Sequence, residues 1–398
     1  MVKSVDLAQI ITRHGPSFTR RYSLSAQQSK VLGSIGKCRT AALGGHICAC
    51  TDCGCTKVFY NSCRDRHCPK CQSLATEKWL RRRQEELLPV PHFHLVFTVP
   101  PALHQLLRHN ERAGYNALFQ TAWSSLKTLC ADHRYLGAAA GAMAVLHTWG
   151  QNLHYHPHLH FLVPAGGLSF DGQCWKRPKS DKFLVPVRAL SRLFRGRLVS
   201  ELRALHRQGA LRLPSGQKLG AILNAAMAKE WVVYAKPPFA GPGHLLGYLG
   251  RYVKRVAISN DRILSLTDGK VHFRYRDYAD GNKRKVMRLA ADEFIRRFVQ
   301  HILPSGFCKV RYYGILATRN RTTRLRKCHE LLGSELQRRA KLSWEALYEA
   351  VTGQPPNRCA DCGGPLLVID YFLPARAPPW HSPGPPAPSA LALHPSAA

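Results

Sequence analysis

The spacing of apolar positions changes several times along the chain, and each change marks an element. Residues 5–45 carry mixed helical periodicity up to Gly44-Gly45. Residues 73–88 read as one amphipathic helix stopped by Pro89 and Pro91. The aromatic and β-branched run 93–99 predicts a strand, and 101–135 is mainly helical. A strand over 142–149 and the polar turn Gly150-Gln151-Asn152 lead into a run where His154, His156, His158 and His160 take every second place. Helices are predicted over 190–205 and 218–229, with a strand over 231–236 and a short helix near 244–252. Alternation around Asp268-Gly269 predicts a hairpin over 262–278. Residues 310–316 read as a further strand and 322–348 as mostly helix. Short strands alternating with helices indicate an α+β core around an antiparallel sheet.

Alternate side chains of a strand share a face, so the histidine run would converge on one point. Neutral imidazole is the commonest protein ligand for a divalent metal. Pro157 has no N–H for a sheet ladder, so a central strand is predicted to start after it. His158 and His160 then form the rigid pair, with His154 and His156 on the approach.

Composition adds a partner. Lys and Arg number 58 against 24 Asp and Glu, a formal charge of +34, with 20 against 7 in residues 251–330. That excess, spread over the whole chain, points to a polyanion, nucleic acid before membrane. No apolar run is long enough to span a bilayer and the N-terminus lacks a signal-peptide core, so a cytoplasmic, nucleoid-associated location with no membrane partner is expected. Eight of 14 cysteines fall between Cys38 and Cys71, a pattern that suits zinc better than disulfides. The knuckles Cys50/Cys53 and Cys68/Cys71 are predicted to grip one structural Zn²⁺, and Cys48, Cys55, Cys63 and His67 are near enough to substitute or to build a second site. A closed four-ligand site serves folding rather than chemistry. Arg64, Arg66 and Lys70 around it suit phosphate contacts. The pair Cys359/Cys362 is half a zinc site with no sequence-local partner, Cys328 and His329 being possible companions across space.

Tyr248 and Tyr252 stand at i and i+4 among glycines and the cations Arg251, Lys254 and Arg255. Such hydroxyls can attack a phosphodiester when a metal polarises the phosphate and cations take up the developing charge. The motifs Ala42-Leu43-Gly44-Gly45-His46, 61–72, His156-Pro157-His158-Leu159-His160, 248–260 and Tyr313-Gly314-Ile315-Leu316-Ala317 occur in this order over residues 5–370. In that combination the chain resembles the zinc-binding, two-tyrosine HUH transposases of the insertion-sequence ninety-one family. It departs from the family in its late strand, where Tyr312 or Tyr313 stands at a position that often holds histidine.

The resemblance implies a ferredoxin-like antiparallel-sheet HUH nuclease core behind an N-terminal cysteine-rich zinc-binding module. It implies catalytic Mg²⁺ or Mn²⁺ on His158 and His160, with Gln151 and His156 as the nearby choices for a third ligand. Tyr248 and Tyr252 would be the nucleophiles of a rolling-circle transposase that nicks and joins single-stranded DNA at element ends and at its target through 5′-phosphotyrosine. No P-loop is present, and the phosphotyrosine bond stores the energy that rejoining needs. A rolling-circle replication initiator or relaxase would share this chemistry, and a non-catalytic zinc-dependent DNA-binding protein would share the composition. The expected domains are 1–88 (helical and zinc-binding), 89–345 (nuclease core), 346–372 (with the second Cys pair) and 373–398, a proline-rich disordered tail.

Overall fold

The computed structural model describes residues 5–180, 182–239, 257–278, 280–336 and 342–374. The predicted helix near 244–252, with Tyr248, Tyr252, Arg251, Lys254 and Arg255, lies outside the described residues, as does the chain after 374.

Two capped helices open the chain. In α1 (Leu7–Arg21) and α2 (Ala26–Lys37), Asp6 and Ser25 accept from the N–H groups of Gln9 and Gln28, whose side chains accept in return. The hairpin β1 (Gly45–Cys50) and β2 (Thr56–Tyr60) follows, then α3 (Gln72–Gln84). The central region runs β3 (His92–Thr98), α4 (His104–His109), α5 (Glu111–Ala131), β4 (Gly141–Trp149) and β5 (Tyr155–Pro164). After the two-residue strands β6 (Gly167–Leu168) and β7 (Trp175–Lys176) come α6 (Val187–Arg207), α7 (Leu219–Met227) and β8 (Val233–Phe239). The meander β9 (Ile263–Thr267), β10 (Lys270–Asp277) and β11 (Lys283–Ala290) leads to α8 (Ala291–Val299) and β12 (Val310–Gly314). The described chain ends with α9 (Arg326–Leu331), α10 (Trp344–Thr352) and β13 (Leu366–Phe372).

The main sheet has the order β12-β4-β5-β3-β8, and every neighbouring pair is antiparallel. Taken in chain order, β3-α5-β4-β5-α6-β8 is a split β-α-β fold with β12 added at one edge. The fold is the α+β antiparallel core that the sequence predicts, behind an N-terminal cysteine cluster that fits a zinc-binding domain.

The alternation of β5 separates two environments. Leu159, Phe161 and Val163 join Phe93, Leu95, Phe97, Ala142, Ala144 and Leu146 in a core covered by α5 and α6. The opposite face carries Met143, Val145 and Leu162 at one end, packed against Trp79 and Leu80 of α3, and histidines at the other. A second core joins α1 and α2 to β9, β10 and α8 through Leu7, Ile10, Phe18, Val271, Phe273 and Phe294.

Three expectations change. β5 starts at Tyr155 rather than after Pro157, because the β4–β5 pairing slips between Trp149↔Tyr155 and His147↔His158, so no ladder position requires the missing N–H. The predicted helix over 322–348 is interrupted, with a π-type turn over Arg321–Leu325 before α9 and a separate α10. Residues 366–372, unassigned from sequence, form β13 on β1. Leu367, Val368, Ile369 and Tyr371 all face solvent there, so no half-buried alternation marks the strand.

Candidate metal centre

The histidines of β5 sit on a central strand, and β4 on one side supplies a partner. His147 stands directly opposite His158, and His160 one step along the same face, opposite Val145. The ring centroids of His147 lie 5.6 Å from His158 and 4.5 Å from His160, and those of His158 and His160 are 4.8 Å apart. One nitrogen from each of the three lies within 4.8 Å of the others. Burial pushes the His158 pKa down to about 4, so at neutral pH its ring is uncharged and offers a lone pair.

Neighbours orient these rings. His158 Nδ1 donates to the His156 carbonyl at 2.7 Å, which leaves the lone pair on Nε2 to face the other rings. His94, buried on β3, brings Nε2 to 2.9 Å from Nδ1 of His160 and stacks on it at 5.1 Å. Trp149 stacks on His147 at 4.7 Å. Three imidazoles converging from two hydrogen-bonded strands are a donor set that fits a divalent transition ion.

Of the two sequence candidates for a third ligand, His156 is not in that cluster, and Gln151 has a different side-chain partner. Gln151 donates its amide to the Tyr278 hydroxyl at 3.3 Å. The His156 ring lies nearest to His158 and His104, at 5.1 and 5.6 Å between centroids. His147 and His94 were missed from sequence. Both lie in strands that the sequence predicts, but β4 is buried along both faces, so its pattern does not reveal which residues share a face with β5. Tyr312 accepts from the Trp79 indole at 3.2 Å, and Tyr313 stacks on Trp123 at 5.1 Å.

The cysteines gather differently from the prediction. Cys68 and Cys71 join Cys38 and Cys63, whereas Cys50 and Cys53 lie with Cys359 and Cys362. Around Cys71, Sγ distances are 3.5 Å to Cys38 and 3.7 Å to Cys63. Four thiolates each about 2.3 Å from a tetrahedral zinc sit about 3.8 Å apart, so the first cluster is sized for that ion. Hydrogen bonding with Cys38 and the other members pulls the Cys71 thiol down and pushes the Cys63 and Cys68 thiols up, so the four sulfurs are in direct mutual contact. His67 lies outside it: Nδ1 bonds Asp65 at 2.9 Å, and Nε2 accepts from the Leu303 N–H at 3.2 Å. Cys328 belongs to a separate apolar cluster with Leu88 and Ile315, so it is no companion of Cys359.

The cations assigned to DNA have three different settings. Arg64 is exposed. Lys70 pairs with Asp6 at 2.8 Å. Arg66 is half-buried and donates to the carbonyls of Pro304 and Phe307, bracing the loop before β12. A groove of about 1330 Å³, lined by more cations (among them Lys78, Arg81, Arg82, Arg321 and Arg326) than carboxylates (Glu85, Glu330 and Glu335), opens between α3 and the segment after β12. Its wall α3 is seated on the sheet face that carries the histidines. Among the described residues, no helix is long and apolar enough to cross a membrane.

Known proteins resemble this chain over most of its length. Residues 10–99, which hold all of the first cysteine cluster, match a family model described as "Transposase zinc-binding domain". Residues 141–324, which hold β4 and β5, match one described as "Putative transposase". The chain is 46% identical over 395 residues to "Putative transposase y4qJ" of Sinorhizobium fredii, covering 94% of this chain and 97% of that one. It is 31% identical over 337 residues to "Transposase for insertion sequence element IS801" of Pseudomonas savastanoi pv. phaseolicola, covering 83% and 80%. No solved structure matches. With a cysteine cluster fit for zinc at its N-terminus and relatives of this identity over nearly its whole length, the chain belongs to the IS91 family of transposases.

Proposed function

We propose that this transposase cuts and rejoins single-stranded DNA at the ends of its element. The observation that carries the reading is the convergence of His147, His158 and His160 on one point of a central sheet face. We assign these three as the ligands of a divalent ion, with His94 holding the His160 ring in register. An all-imidazole set suits Mn²⁺ better than the harder Mg²⁺. Such an ion, when bound, draws electron density from a phosphate oxygen and orients the scissile bond.

Tyr248 and Tyr252 are the assigned nucleophiles. The phenolic oxygen attacks phosphorus, the P–O3′ bond breaks, and the proton released from the hydroxyl ends on the departing 3′-oxygen. The products are a 5′-phosphotyrosine and a free 3′-hydroxyl. Rejoining is the reverse attack by a 3′-hydroxyl, which restores the tyrosine and consumes no nucleotide cofactor. Arg251, Lys254 and Arg255 lie beside the tyrosines in sequence and suit the phosphate charge that develops. Phosphates of the strand would also be held by Arg64 and the basic groove along α3, so binding should weaken steeply with salt. A chain that works on DNA in this way is expected in the cytoplasm at the nucleoid.

The test is a denaturing-gel assay with labelled single-stranded element ends, with and without Mn²⁺ or Mg²⁺. The expected result is a metal-dependent nick with a covalent protein–DNA band, both lost in the Tyr248→Phe/Tyr252→Phe double variant. Cleavage that persists in that variant overturns the nucleophiles. Binding of cognate ends with no nick in either metal overturns the enzymatic reading.

A further inference from the structure

Cys359 and Cys362 lie outside the segment that matches the zinc-binding domain model, and more than 300 residues from Cys50. The fold nevertheless brings them against the other early knuckle. Cys50 Sγ is 3.4 Å from Cys362, and Cys53 Sγ is 3.8 Å from Cys359. All four sulfurs lie within 4.8 Å of one another.

The two knuckles have one geometry. Each reads Cys-x-x-Cys-Gly, and Gly54 and Gly363 both adopt positive φ, +68° and +77°. The Gly54 N–H donates to the Cys50 carbonyl at 3.1 Å, and the Gly363 N–H to the Cys359 carbonyl at 3.0 Å. The turns then close alike: the Cys50 N–H donates to the Cys55 carbonyl at 2.9 Å, and the Cys359 N–H to the Gly364 carbonyl at 2.8 Å. The Gly364 N–H also donates to Cys362 Sγ, at 3.4 Å. Two matched turns facing each other present four sulfurs to one tetrahedral cation.

The surrounding structure buries too little to hold itself. β2 is largely exposed, β13 shows solvent most of its apolar side chains, and the local core is Cys48, Cys50, Cys359 and Leu366 with Cys55 and Phe59 at its edge. Small modules with so small a core rely on a metal or a cross-link.

We propose that Cys50, Cys53, Cys359 and Cys362 form a second structural zinc site, a clasp that fastens residues 357–372 to the β1–β2 hairpin. β13 then completes the sheet β13-β1-β2, with Gly45 opposite Phe372 and Cys50 opposite Leu366. α10 is held near α3 by the same closure, so the clasp also sets the far wall of the basic groove.

The test counts zinc by mass spectrometry in the full chain carrying His158→Ala, which keeps the histidine centre out of the count. Two zinc ions per chain are expected there, falling to one when Cys359→Ser and Cys362→Ser are added. Cobalt replacement should lose about half of its thiolate charge-transfer absorbance in the same step. Cys55→Ser, which touches Cys359 at 3.2 Å without belonging to the four, should leave the count at two. One zinc in the His158→Ala chain, or two that survive loss of both late cysteines, overturns the clasp. Disulfides joining these four residues in protein isolated under reducing conditions also overturn it. If the late-cysteine variant fails to fold, the count in the His158→Ala chain alone decides between two and one.

Discussion

His147 and His158 face each other across β4 and β5, two strands whose reverse sides are sealed by Leu146, Leu159 and Phe161 under α5 and α6. Cys38, Cys63, Cys68 and Cys71 come from a helix end and the loops around it, Cys50 from the end of β1 and Cys359 from the turn ahead of β13. The first group is held by a hydrophobic sheet and keeps its places through register alone. In the second, Cys38 and Cys68 are fully buried against the core of α1, α2 and α8. The β1–β2 hairpin and the Cys359 turn, by contrast, bury little apolar surface, so on our proposal Cys50, Cys53, Cys359 and Cys362 depend on a shared ion to stay together. A metal that acts in chemistry is therefore expected on the stiff part of the molecule, and metals that act as cross-links where the chain cannot otherwise fold.

The largest test of that difference is metal removal. Structural zinc contributes on the order of 10 kcal/mol or more to small cysteine modules. A strong thiol-competing chelator should therefore unfold residues 38–71 and 357–372 and leave the β3–β5 core protected. Hydrogen exchange read by mass spectrometry checks this; equal loss of protection in β5 would erase the contrast. Next comes the sheet itself. Phe161 is fully buried, and Phe161→Ala should cost about 3–5 kcal/mol, measured as a lowered denaturation midpoint with both cysteine clusters still loaded.

Smaller effects sharpen the histidine centre. His147→Ala should weaken Mn²⁺ binding more than about 100-fold, beyond what loss of an outer residue does, whereas Gln151→Ala should stay near wild type. Titration calorimetry separates them, and a Gln151 effect larger than that of His147 would reverse the ligand assignment. His94→Ala should cost roughly 10–100-fold through the freed His160 ring.

The mildest effect is one of pH. Burial pushes His92 and His301 from 6.5 down to about 4, so the folded chain keeps them neutral while the unfolded chain takes up protons. Their contribution is full above about pH 6.5 and is lost progressively as pH falls towards 4. His301 donates from Nε2 to the Leu153 carbonyl and takes a hydrogen bond from Thr148 at Nδ1, as only a neutral ring can. Urea midpoints at falling pH should drop less steeply in His301→Gln than in wild type.

Local patterns made much of this visible in advance. The strands at 93–99 and 142–149, the helix ending before Pro89 and the parity of His158 and His160 depend on neighbours in sequence, and the structure places them as β3, β4, α3 and one face of β5. Pro157 misled because a slip in pairing, not the residue, decides where a ladder needs an N–H.

What the sequence determined by itself was the set of donors: alternating imidazoles, paired thiols and a cation excess, each legible because period and spacing are local properties. Which donors share an ion was decided only by tertiary structure. His147 reaches His158 through the register of two strands, and Cys50 meets Cys362 across 312 positions through the closing of β13 on β1. Spacing along the chain constrains neighbours in sequence, whereas a coordination sphere is set by distances in space, and only the packing of distant elements fixes those.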